Sequence, residues 1–174
     1  SGTRLWPLSR ELLPKQFLKI TDKDKSMFQL CCLRVSLLKY NKILVLCNHQ
    51  HVFIAQKQLN ELEIKDYQIV GEPMSKNTAP SIALACQLLE NQSNILVVSS
   101  DHVFDDSRFC QAVLEGLPQT QDGIVTFGIK PISAHIGYGY IKYESYFNES
   151  SPEQPNKKFN KLIQFVEKPN LELA

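Results

Sequence analysis

The sequence predicts an α/β fold, a sandwich of helices around a mostly parallel sheet. Three observations lead there. Short continuous apolar runs, Ile43–Cys47 (ILVLC) and Ile95–Ser99 (ILVVS), read as strands covered on both faces. Segments with apolar residues at helical spacing lie between such runs. Strand and helix signals then alternate along most of the chain, the pattern of crossovers rather than of hairpins.

Taken in order, the chain opens with the loop-like stretch SGTRLWPLSRELLPKQF, and a polar turn follows over Thr21–Lys25. Ser26 is placed to cap a helix whose apolar face is Phe28, Cys31, Cys32, Val35 and Leu38. The ILVLC strand comes next, then an amphipathic helix with Val52, Ala55, Leu59 and Leu62 on one side. Tyr67–Val70 is a second strand and runs into GEPMSKNTAP; Ile82, Ala85, Cys86 and Leu89 trace a third helix. ILVVS ends in Ser100, Asp101 and His102. A helix is expected over Ser107–Gly116, and strands over Ile124–Ile129, Gly137–Tyr143 and Leu162–Glu167. Asn148–Lys158 is rich in Asn, Ser, Pro, Glu and Lys without an apolar period, and reads as a solvated loop.

Composition narrows the classes. With 174 residues, 43% of them hydrophobic, the chain is long enough for one domain with a real core. A net charge of +1 gives no electrostatic case for a nucleic-acid partner. No apolar run reaches bilayer-spanning length and the start lacks a signal-peptide pattern, so no membrane partner is expected and the default location is cytoplasmic. The five cysteines are odd in number and form no C-x-x-C pair, so they read as buried reduced thiols.

In folds of this class, right-handed crossovers bring ligands to the carboxyl ends of the parallel strands. Chemistry is therefore expected just after ILVLC, QIV, ILVVSS and IVTFGI. In the opening stretch, Gly2 permits close backbone approach, Thr3 and nearby amides can donate to phosphate oxygens, and Arg4 supplies a planar cation. Lys15, behind a stiffening proline, is a compact charge suited to bridging phosphates. The bland alternative is an ordinary loop with solvated charges. Asp101, ending a buried strand, can hold Mg²⁺ against a triphosphate, or simply cap a turn. Glu72 can accept from the N1–H and amino group of guanine, or face solvent. Asn77 and Thr78 stand at a helix start, where capping is expected and free amides can meet a ligand.

Gly139, in GYGY, marks a close backbone approach or a bulge. Glu167 and Lys168 can bind sugar hydroxyls and a phosphate, or form an exposed ion pair. His49 and His51 do not share a helix face and carry no metal role; His135 stands alone in a loop. No H-E-x-x-H, G-x-S-x-G or Cys/His nucleophile pair occurs.

Read together, these strings resemble the mannose-1-phosphate guanylyltransferases. SGTRLWPLSRELLPKQF resembles that family's signature loop, GEPMSKNTAPSIALA its guanine-binding segment, and VVSSDHVF its metal-aspartate segment. VTFGIKPISAHIGYGYI and FVEKP resemble its sugar and sugar-phosphate segments. CNHQHVFIAQKQL is similar to the long bacterial type, in which a phosphomannose isomerase domain follows.

The resemblance implies a Rossmann-like nucleotide-diphospho-sugar transferase fold with three α/β/α layers. It also implies the reaction of GTP with mannose 1-phosphate to GDP-mannose and pyrophosphate. Arg4 and Lys15 would be catalytic, and Gly2, Thr3, Glu72, Asn77 and Thr78 would bind the nucleotide. Gly139, Glu167 and Lys168 would bind the sugar phosphate, and Asp101 would ligate Mg²⁺. A homo-oligomer is compatible with the family. Ser75-Lys76 stands where relatives often carry Gly-Arg, which keeps the charge and loses the glycine. By the same comparison residues 1–174 form a partial domain, with the family's first strand preceding Ser1 and its second metal-binding aspartate lying beyond Ala174. The competing expectation is an inactive remnant or regulatory subunit that binds sugar nucleotide or a partner without turnover.

Overall fold

In the computed structural model, residues 5–74, 76–89, 93–121, 123–144 and 159–173 are described. The expected loop over Asn148–Lys158 lies outside them, and so do Gly2, Thr3, Arg4 and Ser75. The chain divides into two compact units, Ser1–Val125 and Thr126–Ala174.

In the first unit, α1 spans Met27–Ser36 and starts where the sequence puts it. Ser26 Oγ accepts from the Gln29 amide, and the Gln29 side chain accepts in return from the Ser26 amide, a reciprocal capping box. Strand β1 (Ile43–Asn48) is followed by helix α2 (Val52–Asn60) and then strand β2 (Tyr67–Glu72). The strands pair in parallel from Ile43 opposite Tyr67 to Asn48 opposite Glu72. A parallel pair needs a crossover, and α2 supplies it. Ala55 and Leu59 of α2 are fully buried against Phe17, Phe28 and Cys32, the center of the core. Gly71 is required where β2 passes the start of α2: a Cβ there would come within 2.9 Å of Val52 Cγ2 and 3.1 Å of His49 Cα. Helices α3 (Thr78–Leu88) and α4 (Asp106–Gly116) complete this unit. In the second unit, β3 (Gly139–Tyr143) and β4 (Leu162–Glu167) form an antiparallel pair.

Four expectations need correction. ILVVS and residues 124–129 carry strand-like apolar runs, yet among the described residues neither enters a ladder. A strand exists only when a second segment takes up its backbone groups, which an apolar run alone does not guarantee. Leu96 is 37% and Val97 60% exposed, as expected of segments without close neighbors on both faces. For the same reason β1 is half-buried along its length rather than covered on both faces. The third helix does form as expected, as α3, with Ala85 buried and Ile82 and Cys86 exposed. The thiols are free, but only Cys31 and Cys32 are buried, with Cys47 and Cys110 half-buried and Cys86 exposed. Burial pushes the Cys32 thiol up to about 12, which leaves it protonated and unreactive at neutral pH.

Candidate functional site

Lys15 is held from several sides. It opens a single 3-10 turn, Lys15–Phe17, with Pro14 as the preceding residue. Phe17 anchors that turn: its ring meets Phe28 edge-on at 5.4 Å, and its carbonyl accepts from Gln58 Nε2 at 3.1 Å. Upstream, a His51 ring nitrogen contacts the Glu11 carbonyl at 2.9 Å, tying the opening loop to the start of α2. The buried anchor leaves the lysine half-exposed, with its ammonium free to reach outward.

It reaches Asp101. Lys15 Nζ and Asp101 Oδ2 are 2.5 Å apart, although the two residues are remote in sequence. The other carboxylate oxygen, Oδ1, accepts from Ser99 Oγ at 2.5 Å and lies 3.9 Å from His102 Nε2. Desolvation pushes the Asp101 carboxyl up, but hydrogen bonds from Lys15 and Ser99 and the Lys15 charge outweigh it and hold the group below the usual carboxylate range. The result is an ionized carboxylate paired with an ammonium just after the ILVVS segment.

A second cluster lies at the end of β2. Ser81 Oγ donates to Glu72 Oε1 at 2.5 Å and contacts the Asn77 carbonyl at 3.3 Å. Asn77 stands at the N-terminus of α3 with φ 67 and ψ −169, and its side chain makes no capping bond. The capping expected at this position therefore does not occur. That backbone region costs a non-glycine residue of order 1–3 kcal/mol, and such strain concentrates at functional sites. Thr78 is the first residue of α3 and is exposed.

In the second unit, Gly139 pairs with Glu167 across β3 and β4. A Cβ on Gly139 would lie 2.6 Å from Phe165 Cζ and 2.8 Å from Glu167 Oε2, so the close approach inferred from GYGY is to the chain's own β4. Lys168 follows with φ 47; its amide donates to the Tyr138 carbonyl at 3.0 Å and its ammonium is 3.5 Å from Glu167 Oε1. The structure thus brings together Lys15 with Asp101, Glu72 with the Asn77 carbonyl through Ser81, and Gly139 with Glu167 and Lys168. Ser99 and Ser81 emerge as the partners of two of the carboxylates. Ser99 adjoins Asp101 in a segment already singled out, whereas Ser81 carried no signal beyond its place in α3.

Among the described residues no group of three or more His, Cys, Asp or Glu side chains gathers as a metal cage. Asp101 fits a different pattern, in which one carboxylate holds a hard cation whose remaining ligands are phosphate oxygens and water. No helix among the described residues is long and apolar enough to cross a membrane.

The sequence profile of the nucleotidyl transferase family matches residues 1–174. The chain is 41% identical over its whole length to a mannose-1-phosphate guanylyltransferase of Salmonella montevideo and 42% identical to one of Escherichia coli (strain K12), and it spans 37% of the length of each. It is likewise 41% identical to the xanthan biosynthesis protein XanB of Xanthomonas campestris, again over all of this chain and 36% of that protein. Among solved structures, one titled a mannose-1-phosphate geranyltransferase from Thermus thermophilus superposes with TM-score 0.82 at 26% identity, over 99% of this chain and 48% of that one. A mannose-6-phosphate isomerase from Helicobacter pylori gives 0.74 at 33% identity, over 92% and 58%. These neighbors share the α/β fold built here around the parallel β1–β2 pair. The chain belongs to the nucleotidyl transferase family.

Proposed function

We propose that this chain is the nucleotidyl-transferring part of a mannose-1-phosphate guanylyltransferase, which makes GDP-mannose and pyrophosphate from GTP and mannose 1-phosphate. The observation that carries the reading is the meeting of Lys15 and Asp101, a cation and an anion of the two sequence segments the reaction needs. The names of the relatives supply the substrates.

The chemistry asks little of the protein beyond placement and charge. A phosphate oxygen of mannose 1-phosphate attacks the α-phosphorus of GTP in line; a new P–O bond forms as the bond to the β-phosphate oxygen breaks. The electron pair leaves with pyrophosphate, and no bond to the enzyme forms. Lys15, with Arg4, neutralizes the charge that gathers on the reacting phosphates. Asp101 would hold Mg²⁺, which when bound would supply further neutralization of the phosphate charge. Its carboxylate is kept ionized for that purpose by the contacts described above. Glu72, fixed by Ser81, accepts from the N1–H and amino group of guanine, with Gly2, Thr3, Asn77 and Thr78 about the nucleotide. Glu167 accepts from the hydroxyls of the mannose and Lys168 binds its phosphate, with Gly139 letting β3 lie close against β4.

The test is pyrophosphate release from GTP and mannose 1-phosphate with Mg²⁺, using the full-length protein and residues 1–174 in parallel. Turnover by the full-length protein supports the reading. Binding of GDP-mannose without turnover there favors the regulatory alternative, and binding of neither substrate sinks the proposed activity.

A further inference from the structure

Among the described residues, Arg34 of α1 is the charged side chain that lies buried, at 5% exposure. Burying a cation is costly unless several partners offset the lost hydration. The partners of Arg34 come from one short stretch. Its Nε donates to Asp106 Oδ1 at 2.6 Å and its Nη1 to the His102 carbonyl at 3.4 Å. Its guanidinium carbon lies 5.5 Å from the Phe104 ring centroid and 5.9 Å from that of Phe109. Those two rings stack on each other at 5.7 Å. One side chain therefore holds residues 102–109 by a carboxylate, a carbonyl and two aromatic rings.

That stretch starts next to Asp101. On the other side of Asp101, the Ser99 carbonyl accepts from Cys31 Sγ at 3.8 Å, one turn earlier on the same helix. So α1 grips the turn before and after the aspartate. The grip is asymmetric: a weak thiol contact on one side, a charged fork on the other. A lysine would not reproduce it, because only a planar guanidinium both stacks on rings and donates in two directions.

We propose that Arg34 is a positioning residue that fixes the Asp101 carboxylate where the cation of the nucleotide site binds. The proposal rests on the functional reading above and names a residue outside it. Arg34 touches neither substrate nor cation; it acts through the turn that carries Asp101.

The test uses the full-length protein with GTP and Mn²⁺, following protein-bound Mn²⁺ by the enhancement of water-proton relaxation over that of Mn²⁺ with GTP alone, and GTP affinity is measured separately in metal-free buffer. Arg34→Lys keeps the charge and loses the fork and the stack. It is expected to weaken Mn²⁺ binding in the presence of GTP about tenfold, as loss of a ligand-orienting partner does elsewhere, while metal-free GTP affinity stays within about twofold. Asp106→Asn cuts the same clamp from its exposed end and is expected to act in the same direction, about threefold. A purely structural arginine would lower thermal stability and leave the Mn²⁺ affinity of the folded protein unchanged. That result in a folded Arg34→Lys protein overturns the proposal; if this variant does not fold, the same result in Asp106→Asn overturns it. Failure of the wild-type protein to bind Mn²⁺ with GTP would instead strike the functional reading itself, and it shows in a separate arm.

Discussion

At the scale of single residues, Lys15 and Asp101 illustrate what a sequence does and does not reveal. Each was readable as a candidate: the lysine from a long, particular string, the aspartate from its place after a buried apolar run. Their contact was not, because pairing across the chain is a property of the fold. The same holds for Arg34, which sits on α1 between positions expected to be apolar and gives no sign in the sequence of being buried. The energetics of the ion pair yield a prediction. Lys15 is 41% and Asp101 27% exposed, and a pair this open to water contributes about 1 kcal/mol or less to stability. Neutralizing charge at reacting phosphates is worth far more, because the interaction strengthens as the transition state forms. Lys15→Ala in the full-length protein should therefore cut turnover by about 10²–10³-fold. Its urea midpoint should barely move. Parallel loss of both would make Lys15 a structural residue and remove it from the catalytic set.

At the scale of elements, what is legible depends on whether the signal is local. The start of α1 was legible because a cap and a periodic face are both encoded within a few residues, and Ser26 does cap it. Ser26 is also fully buried and donates to Gln58 Oε1 on α2 at 2.6 Å, which no local pattern could announce. Ser26→Ala is thus expected to destabilize the fold by about 1–2 kcal/mol, the upper part of the range for a lost cap, as read from urea unfolding. A Ser26→Thr variant that keeps the hydroxyl should recover part of that. The start of α4 was missed by one residue: the helix begins at Asp106, and Asp105 caps it by accepting from the Arg108 amide. That amide bond, followed by the bond from Ser107 Oγ, holds the Asp105 carboxyl below its ordinary range. The folded value is depressed, so the stabilizing contribution is present above the unfolded value near 3.8 and is lost as pH falls through the folded value. In an acid titration the Arg108 amide resonance should shift through that window. Asp105→Asn keeps the cap but cannot titrate, so its trace should stay flat there; an unchanged titration would assign the shift to another group.

For the molecule as a whole, the α/β class and the parallel pairing followed from the alternation of signals and the length of the crossover. Which apolar runs find ladder partners did not follow, since periodicity describes one segment and a ladder needs two. The register of β1 turns this into a measurable difference. The Ile43 amide donates to the Asp66 carbonyl, so in a parallel ladder Val45 and Cys47 also point toward β2. Leu44 and Leu46 then point to the opposite edge of β1, where no ladder forms among the described residues. Residues 95–99 likewise enter no ladder among the described residues. Native-state hydrogen exchange of residues 1–174 should accordingly divide β1 by alternation. Ile43, Val45 and Cys47 should be slow, reporting the stability of the core unit, while Leu44, Leu46 and residues 95–99 exchange quickly as open backbone. The β3–β4 amides should fall between these classes, because a two-stranded pair is only marginally stable by itself in water. If Leu44, Leu46 and residues 95–99 were instead as slow as Val45, a third strand would have to lie against that edge of β1, and the sheet would be wider than the β1–β2 pair.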